Sequence, residues 1–512
     1  MPSPRQYDTH KPKELRRFYE PLGILYRLND QTKPHSMFSS SGRGIDIMQR
    51  RRDFVDSIAY IGAYSKECEI AVALERQPDR LILRVAGTGD IETTTVPFLN
   101  DLLSAVSHIV KSGTDGIRGE LKESIVFHLS EIALDFAEEK TFAQYMKILR
   151  IASICLEDIT TGLNGADGDC LRFRAWFQEN FYKNSALLTK QDMKALARKC
   201  IHARQSGQLE VLGKFTFQGN KHLTYFEKFY KKLTSLSRTI DMVSKLFESI
   251  VSLRQDLAND LVAEGLPPST SLPIPLLPRK LTLEGIANRM FSKAVERDEF
   301  LRKLEQTAPA GLTKTLVDYS REVATKVHPE LIIINYFDGL TVGGFLDDND
   351  KYIGRTKPSC YLCHLFVSHH PAKYSAMSAN SNLCLDWRLP DISRHEGNAM
   401  ARAETQKSIL RKLINTIRKE LEEQVNKAWE ELQSHFSDSE TQSAVPIDED
   451  DDDTFPCGSP PPSPKLTPAS PTTSINQVAR ELDTELGQAS GADNTSDEDE
   501  KDIIVFKGRC RH

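Results

Sequence analysis

Two short segments, His328-Pro-Glu330 and Cys360-Tyr-Leu-Cys363, decide the fold of this chain. They are the only His-x-Glu and the only Cys-x-x-Cys in the sequence, and about thirty residues separate them. By chance, a chain of this composition contains about one His-x-Glu and far fewer than one Cys-x-x-Cys. The probability that both occur by chance in this order and close together is on the order of one in a hundred. The rest of the chain is therefore interpreted outward from these two motifs.

The residue types of the two motifs suit a hydrolytic zinc centre. Such a centre has three protein ligands, an open fourth position for water, and a nearby carboxylate that transfers protons. His328 offers an imidazole nitrogen, and Cys360 and Cys363 offer two thiolates. We therefore predict a Zn²⁺ cofactor bound by these three residues, with Glu330 as the catalytic residue.

Both motifs are predicted to stand at helix starts. Pro329 fits the first position of a helix, where its missing N–H costs no hydrogen bond. Cys360 and Cys363 are three residues apart and would share one face of a second helix, whose N-terminus favours thiolates. Residues 352–354 between the motifs predict a short strand.

The spacing alone leaves other interpretations open. A Cys-x-x-Cys also occurs in redox proteins and in structural zinc sites, to which His364, His369 and His370 would add ligands. A redox pair predicts no stoichiometric zinc. A structural zinc site predicts a non-catalytic protein that acts as an interaction scaffold.

The order of the two motifs resembles the signature of zinc deaminases in the cytidine-deaminase-like superfamily. The stretch from Ile353 to Cys363, Ile-Gly-Arg-Thr-Lys-Pro-Ser-Cys-Tyr-Leu-Cys, resembles a fungal branch related to bacterial toxin-type nucleic-acid deaminases. Ser368-His-His370 and Trp387-Arg-Leu-Pro390 resemble the same branch. The resemblance is strong over about 320–395 and implies a hydrolase that deaminates a nucleobase in nucleic acid or a nucleotide.

The sequence departs from common deaminase patterns at three places. Pro329 replaces a small Ala, and Ser359 adds a residue relative to the Pro-Cys of classical cytidine deaminases, a difference that the fungal branch shares. Residues 87–89, Gly-Thr-Gly, stand where many deaminases place an Asn that holds the substrate. No base-reading residue is therefore assigned.

The resemblance implies an α/β fold, a three-layer core with a mixed sheet and helices on both faces. That fold has a helix and a hairpin before its first zinc helix, but residues 311–327 predict only helix. Residues 69–75 and 81–86 are β-rich and flank Pro78-Asp79, which predicts a hairpin. We therefore expect residues 50–90 to supply the first helix and hairpin of the core, and 97–310 to be an all-helical insertion.

The remaining boundaries follow from composition and periodicity. Residues 223–262 predict one long helix, and prolines mark a linker at 265–280. Residues 311–436 are expected to form the zinc-binding core and a long C-terminal helix. Residues 1–45 are expected to be poorly ordered apart from a short helix near 14–19, and 437–512 to be a disordered acidic Ser/Pro-rich tail.

The tail contains two kinds of candidate interaction site. Four residues that precede proline are candidates for proline-directed kinases: Ser459, Ser463, Thr467 and Ser470. A short β-prone run follows the acidic residues 497–500 and resembles a SUMO-interacting motif: Ile503, Ile504, Val505 and Phe506. A plain extended linker and a chance apolar patch remain the alternatives.

Charge and composition limit the remaining classes of function. The net charge is −6, with 17 acidic and 6 basic residues in 437–512, so the rest of the chain is mildly basic and suits a polyanionic substrate. We find no apolar run of eighteen residues and no apolar signal core, and we expect no membrane partner. The odd, scattered set of nine cysteines favours a reducing, intracellular compartment, cytoplasmic or nuclear.

Overall fold

The computed structural model describes most of the chain up to residue 438. The described residues are 12–29, 46–111, 119–161, 168–181, 189–214, 223–276, 281–340, 344–376, 379–380, 382–393 and 397–438. The candidate kinase and SUMO sites in the tail lie outside them, as do residues 1–11 and 30–45.

The described residues form a mixed α/β structure that is mostly helical. Its α-helices, in chain order, are α1 (Pro12–Asn29), α2 (Ile47–Ile61), α3 (Val96–Lys111), α4 (Glu120–Phe136), α5 (Glu138–Thr161), α6 (Gly168–Phe181), α7 (Lys190–Gln205), α8 (Val211–Lys214), α9 (Leu223–Ser252), α10 (Leu283–Met290), α11 (Ala294–Thr307), α12 (Leu312–Glu322), α13 (Pro329–Gly339), α14 (Tyr361–His369) and α15 (Ala399–Asp438). Its strands are β1 (Ile70–Arg76), β2 (Arg80–Gly87), β3 (Asp260–Gly265), β4 (Leu272–Pro273), β5 (Ala324–Thr325), β6 (Gly344–Phe345), β7 (Tyr352–Arg355) and β8 (Ser375–Ala376).

A mixed sheet in the order β3-β2-β1-β7-β8 organises the fold, with β6 also paired to β1. Strand β1 runs antiparallel to β2, β6 and β7, whereas β3 is parallel to β2 and β8 is parallel to β7. The predicted hairpin is thus present. Ala71 is paired with Arg355 and Val72 with Gly354, so the hairpin shares its sheet with the strand that leads into Cys360.

Strand β1 is buried on both faces, as its apolar sequence requires. Alternate residues belong to different clusters: Ala71 and Ala73 pack with α13 and α14, whereas Ile70 and Val72 pack with α2, α3 and α9. A separate helical cluster contains parts of α4 to α9. The sheet therefore lies between two helical layers, and the helices that begin at His328 and Cys360 are in only one of them.

The strand β3 corrects the prediction of one continuous helix over 223–262. Helix α9 ends at Ser252, and β3 pairs in parallel with β2 through Leu81–Leu261 and neighbouring partners. Segment 97–310 is therefore not all-helical. The partner of β3 lies about 180 residues away in sequence, so local periodicity could not indicate it.

The N-terminal helix is longer than expected. Helix α1 spans Pro12–Asn29 and packs on α15, burying Phe18, Leu22 and Leu25. The expectation of a poorly ordered N-terminus is therefore wrong for residues 12–29. Helix α1 is stable because α15, nearly 400 residues later in the chain, covers its apolar face. The local sequence gives no indication of that partner.

The proline-rich segment also lies closer to the core than a linker would. Strand β4 pairs with β5, and Ile274 and Leu276 are buried. Ser269 Oγ accepts a hydrogen bond of 2.9 Å from the Val327 N–H. Residues 269–276 therefore brace the chain immediately before His328.

Among the described helices, none is long and apolar enough to cross a membrane.

Candidate metal centre

His328 stands at the N-cap of α13, with Pro329 at the first helical position. The backbone of His328 is extended, with φ −72° and ψ 151°, as is usual for an N-cap residue. The side chain is buried. The predicted helix start is confirmed, and Pro329 places it because proline favours the first turn.

Cys360 is likewise the N-cap residue of its helix, α14, but unlike His328 its side chain makes a capping hydrogen bond. Its Sγ accepts from the Cys363 backbone N–H at 3.5 Å, so both thiols lie in the first turn of the helix. The strand before it is fixed to β1: Ile70 N–H donates to Thr356 Oγ1 at 2.8 Å, and Thr356 N–H donates to Ile70 O at 3.1 Å. The sheet therefore sets where the second motif meets the first.

The three predicted ligands converge. His328 Nδ1 lies 3.5 Å from Cys360 Sγ and 3.4 Å from Cys363 Sγ. In a tetrahedral site with Zn–N of about 2.05 Å and Zn–S of about 2.3 Å, nitrogen and sulfur ligands are about 3.5 Å apart. The two nitrogen–sulfur distances, and the chemistry of these donors, therefore fit a zinc ion.

Two overlapping groups of ligand atoms lie within 4.8 Å of one another among the described residues. One contains His328, Glu330 and Cys363, and the other contains His328, Cys360 and Cys384. Cys384 was not predicted, because it has no ligand partner at a characteristic spacing in the sequence.

The histidines that follow Cys363 belong to neither group. His370 Nε2 instead lies 3.0 Å from Asp338 Oδ2, and Tyr374 OH donates to Asp338 Oδ1 at 2.6 Å. Thus the described residues do not assemble the structural zinc site that would use His364, His369 or His370.

Glu330 is fully buried beside the ligand group, in the first turn of α13. Arg355 Nη1 lies 2.5 Å from Glu330 Oε1. The angles of this contact are not those of a hydrogen bond. Neither carboxylate oxygen has a hydrogen-bond partner among the described residues. Burial of a charged carboxylate is unfavourable unless an opposite charge or hydrogen bonds replace its lost hydration. Arg355 supplies the opposite charge, and both carboxylate oxygens remain free to accept hydrogen bonds.

Asp386 lies behind His328. Its Oδ1 is 3.6 Å from His328 Nε2, and its Oδ2 is 2.9 Å from Lys326 Nζ. Metal-binding histidines usually direct their second nitrogen to a carboxylate or carbonyl, which fixes the ring and its tautomer. Asp386 lies on that side of the ring, although Nε2 has no hydrogen-bond partner among the described residues. Asp386 was not predicted from the sequence, although it directly precedes the Trp387-Arg-Leu-Pro390 stretch.

The electrostatics couple metal binding to proton release. Burial lowers the pKa of His328, but Asp386 and Cys360 outweigh it and raise this pKa to about 11. The pKa of Cys360 is raised to about 11, mainly by its contact with Cys363, and burial raises the pKa of Cys363 to about 12. A cation bound here displaces these protons, so metal affinity should increase with pH.

Residues 327–391 match the model of the OTT_1508-like deaminase family. This segment is a deaminase-like domain. It holds both predicted motifs as well as Cys384 and Asp386, although it covers only a small part of the chain. Comparisons with curated proteins and with solved structures gave no match. Assignment to the fungal branch stays a prediction.

Proposed function

We propose that the protein is a zinc-dependent hydrolytic deaminase of a nucleobase in nucleic acid or a nucleotide. His328, Cys360 and Cys363 bind the metal, and Glu330 transfers protons. The observation that carries the proposal is the position of His328 Nδ1, 3.5 and 3.4 Å from two thiols, with the Glu330 carboxylate beside them in a deaminase-like domain. A zinc ion supplies Lewis-acid activation of water when bound.

The residues around the centre have separable roles. Glu330 takes a proton from water and delivers one to the leaving amine, as a general base and then a general acid. Arg355 compensates the charge of Glu330, and Asp386 orients the imidazole of His328. Neither Arg355 nor Asp386 touches the reacting atoms, so both are positioning residues.

The same proposal builds the deaminase core from two segments that are far apart in the sequence. Helix α2, the β1–β2 hairpin, α13, β7 and α14 follow the order of a helix and a hairpin before the first zinc helix. Pairing of β1 with β7 supports this assignment, because it joins the hairpin to the zinc-binding segment. The helices from α3 to α9 would then be inserted into the core, and β3 would extend its sheet beside β2.

A second candidate is a non-catalytic scaffold stabilised by the same zinc. The Glu330–Arg355 ion pair favours it, because a carboxylate held by a buried guanidinium can be structural. The two candidates differ in turnover and not in metal content. Both predict stoichiometric zinc, whereas a redox Cys-x-x-Cys protein predicts none.

The experiment measures metal content of the purified full chain, followed by ammonia release from a panel of nucleosides, nucleotides and oligonucleotides. We expect one zinc per chain and turnover of at least one substrate. Glu330→Gln should abolish turnover and retain zinc, whereas Glu322→Gln, at an exposed position of α12, should leave both unchanged. A zinc-loaded wild type that releases no ammonia across the panel would support the scaffold instead.

A further inference from the structure

Cys384 lies in a short segment that connects the two ligand-bearing elements. At one end of this segment, Asn382 O accepts a hydrogen bond of 3.0 Å from the N–H of Tyr361, the first residue of α14. At the other end, Asp386 O accepts one of 2.6 Å from the N–H of Lys326, two residues before His328. The backbone thus holds Cys384 between the His-x-Glu and Cys-x-x-Cys motifs.

The side chain of Cys384 reaches the candidate centre. Its Sγ lies within 4.8 Å of both Cys360 Sγ and a ring nitrogen of His328. Two sulfur ligands of a tetrahedral zinc site are about 3.8 Å apart, so a shift of roughly 1 Å would bring the Cys384 thiol to ligand spacing from Cys360. The other described cysteines outside the motif, Cys68, Cys155 and Cys200, belong to no such group.

We propose that Cys384 is a fourth protein ligand of the metal and closes the site in this conformation. The proposal rests on the proposed function and concerns regulation of the same site. Structural zinc sites have four protein ligands, whereas catalytic sites leave one position open. Three thiolates and one imidazole would therefore keep water from the metal until Cys384 withdraws.

The exchange is a ligand substitution without oxidation or reduction. When Cys384 binds, a metal–sulfur bond forms, its thiol proton passes to solvent, and a water molecule leaves. When Cys384 withdraws, the sulfur takes up a proton and water enters. No oxidant or reductant is needed, and because a proton is exchanged with solvent, higher pH favours the closed site.

Cys384 is the ligand best placed to leave. Cys360 and Cys363 are buried in the first turn of α14, whereas Cys384 is partly exposed and lies outside a helix. Its withdrawal would require the segment between Asn382 and Asp386 to move, but not the helices that carry the other ligands. A substrate that enters beside this segment would favour the open site.

Zinc K-edge X-ray absorption of the full chain tests the proposal, since it counts sulfur neighbours. The wild type should show three sulfur ligands, and Cys384→Ala should show two with an added oxygen or nitrogen. Cobalt-substituted protein gives a second readout, since Cys384→Ala should lose about one third of the thiolate-to-cobalt charge-transfer absorption. Cys200→Ala, in α7, is the matched control and should keep three sulfurs.

Cys384→Ala should also raise kcat several-fold, because the fourth position is then open.

The outcomes separate this proposal from the proposed function. Two sulfur ligands in the wild type, with zinc bound and ammonia released, would overturn the role of Cys384 and leave the deaminase proposal intact. Three sulfur ligands without turnover in either protein would support the ligand and contradict the enzyme. No stoichiometric zinc in the wild type would overturn both. Since the wild-type sulfur count needs no variant, a folding defect of Cys384→Ala cannot block the test.

Discussion

Arg355 and Glu330 form a buried ion pair, with Nη1 of the arginine 2.5 Å from Oε1 of the glutamate. Arg355 is the last residue of β7, and Glu330 is in the first turn of α13, so the pair joins the sheet to the helix that begins at His328. Burial, the largest single influence, lowers the pKa of Arg355, but Glu330 together with Cys363, Cys360 and Glu69 outweighs it and the pKa is raised. The arginine therefore stays charged beside Glu330.

Replacing Arg355 should be strongly destabilising, because it leaves a buried carboxylate without compensation. We expect Arg355→Met to lower the free energy of unfolding by about 3–5 kcal/mol. The double variant that adds Glu330→Gln should recover part of this loss, since the uncompensated charge is then removed. Urea unfolding of wild type, both single variants and the double variant measures the coupling. Strictly additive losses would show that the two residues do not act as a pair.

Asp386 should control metal affinity through His328. Asp386→Asn removes the carboxylate behind Nε2 and should weaken zinc binding by about 10–100-fold. Competition with a chromophoric chelator measures the affinity. Asp348→Asn, a matched change at an exposed position before β7, should bind zinc as the wild type does. Equal affinities for the two variants would mean that Asp386 does not orient the ligand.

Gly354 should be sensitive to any side chain, because β7 and α2 approach closely there. A Cβ at Gly354 would lie 2.8 Å from the carbonyl carbon of Val55, a backbone atom that cannot move aside. We expect Gly354→Ala to lower the free energy of unfolding by about 1–3 kcal/mol. Gly397→Ala is the control, since a Cβ there meets no atom within 4 Å. Urea unfolding that shows the same small effect for both would contradict this packing.

Asp56 should make stability depend on pH. Burial raises the pKa of this carboxyl to about 7, although Tyr352 OH donates to Oδ2 at 2.8 Å. A raised pKa in the folded state contributes stability that is present below the unfolded pKa, about 3.9, and is lost as pH rises through the folded pKa. Hence the wild type should lose stability relative to Asp56→Asn by about 4 kcal/mol between roughly pH 4 and pH 8.

Urea unfolding of the wild type and Asp56→Asn at several pH values checks the sign and size of this change. Asp79→Asn, at an exposed position in the β1–β2 turn, is the matched control and should follow the wild type at each pH. A constant difference between Asp56→Asn and the wild type would show that Asp56 does not titrate in this range.

The sequence alone determined the features whose signals are local. His328-Pro-Glu330 and Cys360-Tyr-Leu-Cys363 predicted ligand-bearing helix starts, because proline and cap positions restrict the first turn of a helix. The β-rich runs around Pro78-Asp79 predicted the hairpin, and the three- and four-residue repeat predicted α15. Each depends on neighbours within a few residues.

Only the tertiary structure decided the features that depend on remote partners. Strand β3 and the full length of α1 are stabilised by β2 and α15, far away in sequence. Cys384 and Asp386 carry no motif of their own, and the segment that bears them comes to His328 through backbone hydrogen bonds to Lys326 and Tyr361. The sequence thus named three candidate ligands. Packing brought the Cys384 thiol and the Asp386 carboxylate to the same place, because contacts between remote segments form only in the folded chain.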